Sequence, residues 1–294
     1  MSSPLRTRFN NYMVLRRFSP STIKAYTKAV EGLALYYNEP PDKLTTDQVQ
    51  AYLLYLIQEK KRAWSTCNVA FSAYRCFYLE ILKRDKADFH LPKRPRSHEL
   101  PKLLSTQEVK RLFNVIKNVK HRTLLLTIYG GGLRVSEAVN LQLHHIESSR
   151  MMIRVEQGKG RKDRYTILPA YLLQELRFYW NIYHPKRWLF PDKTGEKAMS
   201  TGTAQKIYYH AKKKAGITNG CGIHTLRHCF ATHLLDQGID IYLIKRMLGH
   251  KSLKTTITYL HTTKERISQV KSPLDLLYVS DKGTTPWDQN PLQN

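Results

Sequence analysis

Seven residues between positions 134 and 259 have types and spacings that could act together on a phosphate ester. The stretch GGGLRVSEAVNL places Arg134 and Glu137 three residues apart, on one face of a helix start. GKGRKDR sets Lys159 at the tip of a charged loop, where a long cationic side chain can reach outward. CGIHTLRHCFATHLL puts His224 and Arg227 at i and i+3, again sharing a face; LGH then supplies His250, and TYLH supplies Tyr259 nine residues later. Singly, each is a weak signal, since an arginine near a helix start is often a surface residue and a tyrosine in apolar surroundings is more often core than nucleophile. Cleaving a phosphodiester needs a nucleophile, neutralisation of phosphate charge and a proton for the leaving oxygen. Arg134 and Arg227 offer forked guanidiniums for the non-bridging oxygens, a bidentate geometry that lysine cannot imitate. A two-metal nuclease would need a cluster of carboxylates, and this set has one.

Each position has a competitor. Glu137 could be only a favourable charge at a helix N-terminus. Lys162 lies in the same loop as Lys159, and either side chain could reach a phosphate. His228 and His233 share the helix of Arg227 and are read as structural hydrogen-bonding groups. Tyr208, Tyr209 and Tyr242 are other tyrosines, but none follows a Gly-His pair. Cys221, His224, His228, Cys229 and His233 fall within thirteen residues and superficially suggest zinc. Cys229, though, points about 100° around a helix from His228, so four of them would make a distorted site. No metal and no cofactor is expected.

The elements that must hold these residues are mainly helical. In the first ninety residues, Ser19-Pro20 supplies a cap and a first-turn proline, followed by Ile23, Tyr26, Val30, Leu33, Ala34 and Tyr37 at helical spacing. Thr45 and Gln48 form a capping-box pattern ahead of Val49, Tyr52, Leu53 and Leu56. A third helix is expected from about Ser65, carrying Val69, Ala73, Cys76 and Phe77. At this spacing the aromatics read as core rather than as base-stacking groups. About eighteen residues precede the first helix so recognised.

Periodicity fails over LPKRPRSHELPKL, residues 91–103, whose three prolines and four Lys or Arg mark an extended basic linker able to lie along a DNA backbone or simply to face water. Helical signals resume with the capping box STQE at Ser105. Around Ile153 and Val155 the period becomes two, and with RYTIL after the GKGRKD loop it predicts a β-hairpin. Helices are expected at about 170–183, 201–214 (capped by Ser200) and 225–236, then two shorter ones led by Asp240 and Ser252. The tail from Lys271 carries one apolar island, Pro273 to Tyr278. The fold class is therefore mainly α with a small β-hairpin, in two domains.

Charge indicates the partner. The chain has 294 residues with 48 Lys plus Arg against 23 Asp plus Glu, a formal net charge of +25. A surplus of that size suits a polyanion, because cations that neutralise phosphates release condensed counterions. No apolar run is long enough to span a bilayer, and MSSPLRTRFNNYMVLRRF lacks the apolar stretch of a signal peptide. Four cysteines, Cys67, Cys76, Cys221 and Cys229, are too few to staple a chain this long and read as reduced, small buried side chains. The expected location is the cytoplasm, in association with the nucleoid.

Taken in order, Arg134, Glu137, Lys159, His224-x-x-Arg227, Gly249-His250 and Tyr259 resemble the catalytic half of the tyrosine recombinases, the Xer and phage-integrase group. The resemblance runs from about Leu104 to Leu260 and extends to the contexts LRVSE, GKG, HTLRHCFATH and LGH. The first ninety residues resemble that family's helical core-binding domain only in length, helicity and position. The resemblance implies a core-binding domain at 1–90, a catalytic domain at 104–270 and a tail, 271–294, able to pass to an adjacent protomer. It implies that Tyr259 attacks phosphorus to give a 3′-phosphotyrosine, that Lys159 protonates the leaving 5′-hydroxyl, and that His224 and His250 hydrogen-bond the phosphate. Glu137 would orient Arg134 or a neighbouring histidine. It further implies a clamp on double-stranded DNA, with a homotetramer on two recombination sites and strand exchange through a Holliday junction. The absence of a further arm-binding segment ahead of the first helix points to a simple Xer-like or mobile-element enzyme. Two rivals remain: a type IB topoisomerase, which would relax any supercoiled plasmid, and a DNA-binding regulator with a decayed pocket.

Overall fold

The computed structural model describes residues 3–84, 89–92, 103–156, 163–250 and 252. The chain divides into two compact units, Met1–His98 and Glu99–Asn294.

In the first unit, α1 (Ser3–Leu15) precedes every helix recognised in the sequence. Its signal is faint because only Phe9 and Met13 are fully buried, while Val14 and Leu15 face solvent. Helix α2 (Pro20–Tyr37) starts as expected, with Ser19 Oγ accepting from the Thr22 amide, and ends at Asn38 in the left-handed region. Helix α3 (Thr46–Gln58) opens on the reciprocal cap, in which Gln48 N donates to Thr45 Oγ1 at 3.2 Å and Thr45 N to Gln48 Oε1 at 2.8 Å. Helix α4 (Trp64–Arg75) continues into a wider π-helical turn, Cys76–Ile81. Its buried face is Cys67, Ala70, Ala73 and Tyr74, not Val69, which is exposed; two alanines carry that face and contribute little hydropathy contrast. The aromatics are core, as their spacing indicates: Phe9, Tyr74, Phe77 and Tyr78 are buried, and the Tyr78 hydroxyl donates to Pro41 O at 2.6 Å.

The second unit is built around α6 (Val119–Gly130), in which the six consecutive residues Thr123 to Ile128 are all buried. Helix α5 (Thr106–Asn114) precedes it, opening on the Ser105–Glu108 capping box. After α6 come the short α7 (Val135–Val139) and a three-stranded antiparallel sheet in the order β1 (Ile146–Glu147), β2 (Met152–Val155), β3 (Arg164–Ile167). The expected hairpin is β2–β3, with Ile153 opposite Thr166 and Val155 opposite Arg164; β1 adds two residues, too few to leave a periodic trace. Helix α8 (Ala170–Tyr183) buries Leu172, Leu176 and Tyr179, and α9 (Thr201–Lys214) is capped by Ser200. Helix α10 (His224–Asp236) is enclosed on most sides. Helix α11 (Ile241–Leu248) starts on the Asp240 carboxylate and stops at Gly249, φ +64. The helix expected after Ser252 lies outside the described residues, as do 93–102 of the linker. All four cysteines are free thiols; Cys67 and Cys229 are buried and Cys76 partly so, but Cys221 is exposed, against expectation. Among the described residues no helix is long and apolar enough to cross a membrane.

Candidate active site

Four segments converge: the turn into α7, the first residue of β3, the first turn of α10 and the C-terminus of α11. The turn depends on Gly132. It has φ +60, and a Cβ there would lie 2.3 Å from the Phe230 ring on α10, so only glycine lets the chain pass. Arg134 is thereby presented as the residue capping α7. Its amide donates to Glu137 Oε2 and its Nη1 to Oε1, both at 2.7 Å. Arg164 forks onto the same carboxylate, Nη1 to Oε1 at 2.9 Å and Nη2 to Oε2 at 2.7 Å. Arg227 Nη1 approaches Oε2 at 3.5 Å. Three guanidiniums thus surround one carboxylate whose side chain is 7% exposed. Burial would raise the Glu137 carboxyl, but the hydrogen bonds and charge of Arg164, then those of Arg134, outweigh it and hold it at about 2.

Arg227, 1% exposed, is seated by carbonyls: Nη1 donates to Gly132 O at 2.8 Å and Nη2 to Leu248 O at 2.6 Å. It therefore ties the α6–α7 turn to the end of α11. His224 stands at the solvent rim of the same helix, its ring 4.7 Å from that of His228 in an edge-on arrangement. Packing on its inner side, then Arg227 and Arg134, lower its pKa. His228 is pushed down to about 4 by burial, then by His224 and Arg227. His250 follows the left-handed Gly249 and is likewise held at about 4, by burial first and then by Arg227 and Arg134. At neutral pH both His228 and His250 are neutral imidazoles, able to donate one hydrogen bond and accept another.

The structure thus brings together Arg134, Glu137, His224, Arg227 and His250. Lys159, its rival Lys162, and Tyr259 lie outside the described residues. His233, read as structural, is so placed: its Nε2 lies 3.1 Å from Leu104 O, which can only accept, so Nδ1 accepts from the Tyr129 hydroxyl at 2.9 Å. Cys229 makes paired contacts with the Leu104 amide and carbonyl. Cys229 and His233 therefore turn to Leu104 while His224 and His228 face the arginines, so the suspected zinc set is divided between two sides of α10. A different trio, His144, His145 and Glu156, has ligating atoms within 4.8 Å of one another. The Gln142 amide donates to His145 Nδ1 at 3.0 Å, so the neutral ring carries its proton on Nε2, the atom facing Glu156 at 3.4 Å. That nitrogen has no lone pair for a cation.

Sequence reasoning missed Arg164, and it missed the place of His228 beside the site. Arg164 sits in a run of basic residues whose types do not say which one turns inward. Register does: directly opposed residues of antiparallel strands share a face, and Val155, opposite Arg164, is buried.

Comparisons with known proteins give the family and the fold. Residues 102–266 match the phage integrase family, and residues 5–88 match the phage integrase N-terminal SAM-like domain. A chain named for integrase/recombinase activity, y4qK of Sinorhizobium fredii, is 38% identical over 278 residues, covering 94% of this chain and 90% of its own. Tyrosine recombinase XerA of Thermococcus kodakarensis is 34% identical over 277 residues, covering 92% and 94%. Among solved structures, a crystal structure of XerA recombinase shares 30% identity and covers 90% of this chain and 96% of its own, with a TM-score of 0.53. A lambda integrase tetramer bound to a Holliday junction shares the fold, with a TM-score of 0.70 at 18% identity, covering 87% of this chain and 76% of its own. The fold and these relatives define a DNA breaking-and-rejoining enzyme, a tyrosine site-specific recombinase. The chain belongs to the phage integrase family.

Proposed function

We propose that this recombinase cleaves each strand through Tyr259, with Arg134, Arg227, His224 and His250 around the scissile phosphate and Lys159 as the general acid. The Tyr259 hydroxyl gives up its proton to a neutral histidine of the site as its oxygen attacks phosphorus, the bond to the 5′ oxygen breaks, and that oxygen takes a proton from Lys159. One phosphate ester replaces another, so a 5′-hydroxyl from a second strand can reverse the step with no energy source. The observation that carries this reading is the clustering of Arg134 and Arg227 on the Glu137 carboxylate beside the two histidines. Two fixed cations, Arg227 buried and Arg134 partly open to solvent, lower the cost of charge developing on the non-bridging oxygens. Glu137 acts from beneath, keeping Arg134 in place.

In this reading residues 1–90 bind the core of the site, 104–270 do the chemistry, and the basic stretch 91–103 follows the DNA backbone between them. Four protomers act on two sites through a Holliday junction, and the 271–294 tail reaches from one protomer to the next. The working location is the cytoplasm, on the nucleoid. Tyr259→Phe removes one hydroxyl and tests the central assignment on a suicide substrate. DNA binding should persist and the denaturation-resistant protein–DNA adduct should vanish. An adduct formed by the Phe variant moves the nucleophile elsewhere.

A further inference from the structure

We propose that Arg164 is a positioning residue for DNA cleavage, locking Glu137 under Arg134 and fastening the turn that carries His250 to the same carboxylate. The inference rests on the reading of Arg134 and His250 as phosphate-handling groups.

Arg164 opens β3 with its side chain only 8% exposed. All three guanidinium nitrogens bond to fixed acceptors, Nη1 and Nη2 to the two Glu137 oxygens and Nε to Met247 O at 2.7 Å. With Nη1, Nη2 and Nε all engaged in this way, Arg164 acts through Glu137 and Met247. What it connects is specific. Met247 lies in the last turn of α11, and the adjacent Leu248 carbonyl is held by Arg227. Two arginines therefore grip successive carbonyls just ahead of His250. Gly249 fits the same arrangement: a Cβ there would stand 2.8 Å from Arg164 Cδ, so the glycine of the LGH motif makes room for Arg164 as well as taking a left-handed φ.

The second consequence concerns competition for Glu137. A carboxylate buried this deeply must be paired. With Arg164 forked across both oxygens, Arg134 gives Glu137 one guanidinium nitrogen, Nη1. Without Arg164, the same carboxylate would draw the Arg134 fork onto itself and away from a phosphate. Lysine cannot take over, since one ammonium cannot span both oxygens and the Met247 carbonyl in this geometry.

The test compares Arg164→Met and Arg164→Lys with the parent chain and with Arg134→Ala. Each is assayed for DNA binding, melting temperature and single-turnover cleavage of a suicide substrate. Binding should stay within about threefold of the parent, while cleavage slows about 100-fold in the Met variant and about tenfold in the Lys variant. On a neutral methylphosphonate at the scissile position, where guanidinium charge matters less, the Met deficit should shrink to under about tenfold. A purely structural role predicts the same deficit on both substrates together with a lowered melting temperature, and that result overturns the proposal. So do cleavage rates within about twofold of the parent in both Arg164 variants. If the Met variant does not fold, the Lys variant carries the same comparison. Parental cleavage by Arg134→Ala overturns the underlying site reading instead, whereas an impaired Arg134→Ala beside unimpaired Arg164 variants overturns this inference alone.

Discussion

Histidines held neutral inside a ring of guanidiniums make the free protein sensitive to acid. His228 and His250 protonate near 4 when folded, against an ordinary value near 6.5, and His224 is shifted the same way. Between these limits the unfolded chain binds protons that the folded chain refuses, so stability is full above about pH 6.5 and falls as pH drops towards 4. Glu137 adds a separate loss lower down, beginning near the ordinary carboxyl value of 4.5 and running to about 2. The melting temperature should therefore stay level from pH 7.5 to about 6.5 and fall from there to pH 5, and His228→Asn should flatten that fall. A melting temperature that rises on acidification contradicts the neutral assignment. At this scale the sequence was readable for Arg134, Glu137, His224, Arg227 and His250, because each lies in a short motif with its own spacing. Arg164 was not, because its role comes from strand register and from partners 27 and 83 residues away.

Among the elements, the turn between α6 and α7 is where backbone conformation and chemistry meet. Gly132→Ala would place a methyl into the Phe230 ring and force an alanine to φ +60. The expected cost is about 2 kcal/mol or more, from overpacking and left-handed strain together. Cleavage should fall further than stability alone explains, since Arg134 follows two residues later and Gly132 O is an acceptor for Arg227. Urea denaturation with single-turnover rates checks both, and an unshifted midpoint rejects the packing argument. Five helix caps were legible, since Ser19, Thr45, Ser105, Ser200 and Asp240 all accept from the amides they should, but Asn118, which caps α6, was not read. Faces were harder. Helix α10 is enclosed almost all round, so it has no polar stripe to give its orientation. Helix α1 buries too few large residues to stand out, and β1 is two residues long.

For the whole molecule, the separation into two units was visible as a break in periodicity. The structural division falls at 98/99, and the two family matches end at 88 and begin at 102. The net charge of +25 predicts DNA affinity that drops steeply with salt. The tail adds an assembly prediction: Leu274, Leu276 and Leu277 form an apolar island in a basic chain and need cover. Removing residues 272–294 should leave binding to a single site nearly unchanged and weaken formation of the paired-site complex in a gel-shift series. Normal pairing by the truncated chain removes the tail from that role.

Leu104 has a mechanical meaning. It is the second described residue after the 93–102 stretch, and both its amide and its carbonyl are fastened to α10, through Cys229 and His233. A pull on the chain entering this unit is thus moored to the helix that carries His224 and Arg227. Helix α10 therefore serves both as the mooring of Leu104 and as the carrier of two of the site's side chains.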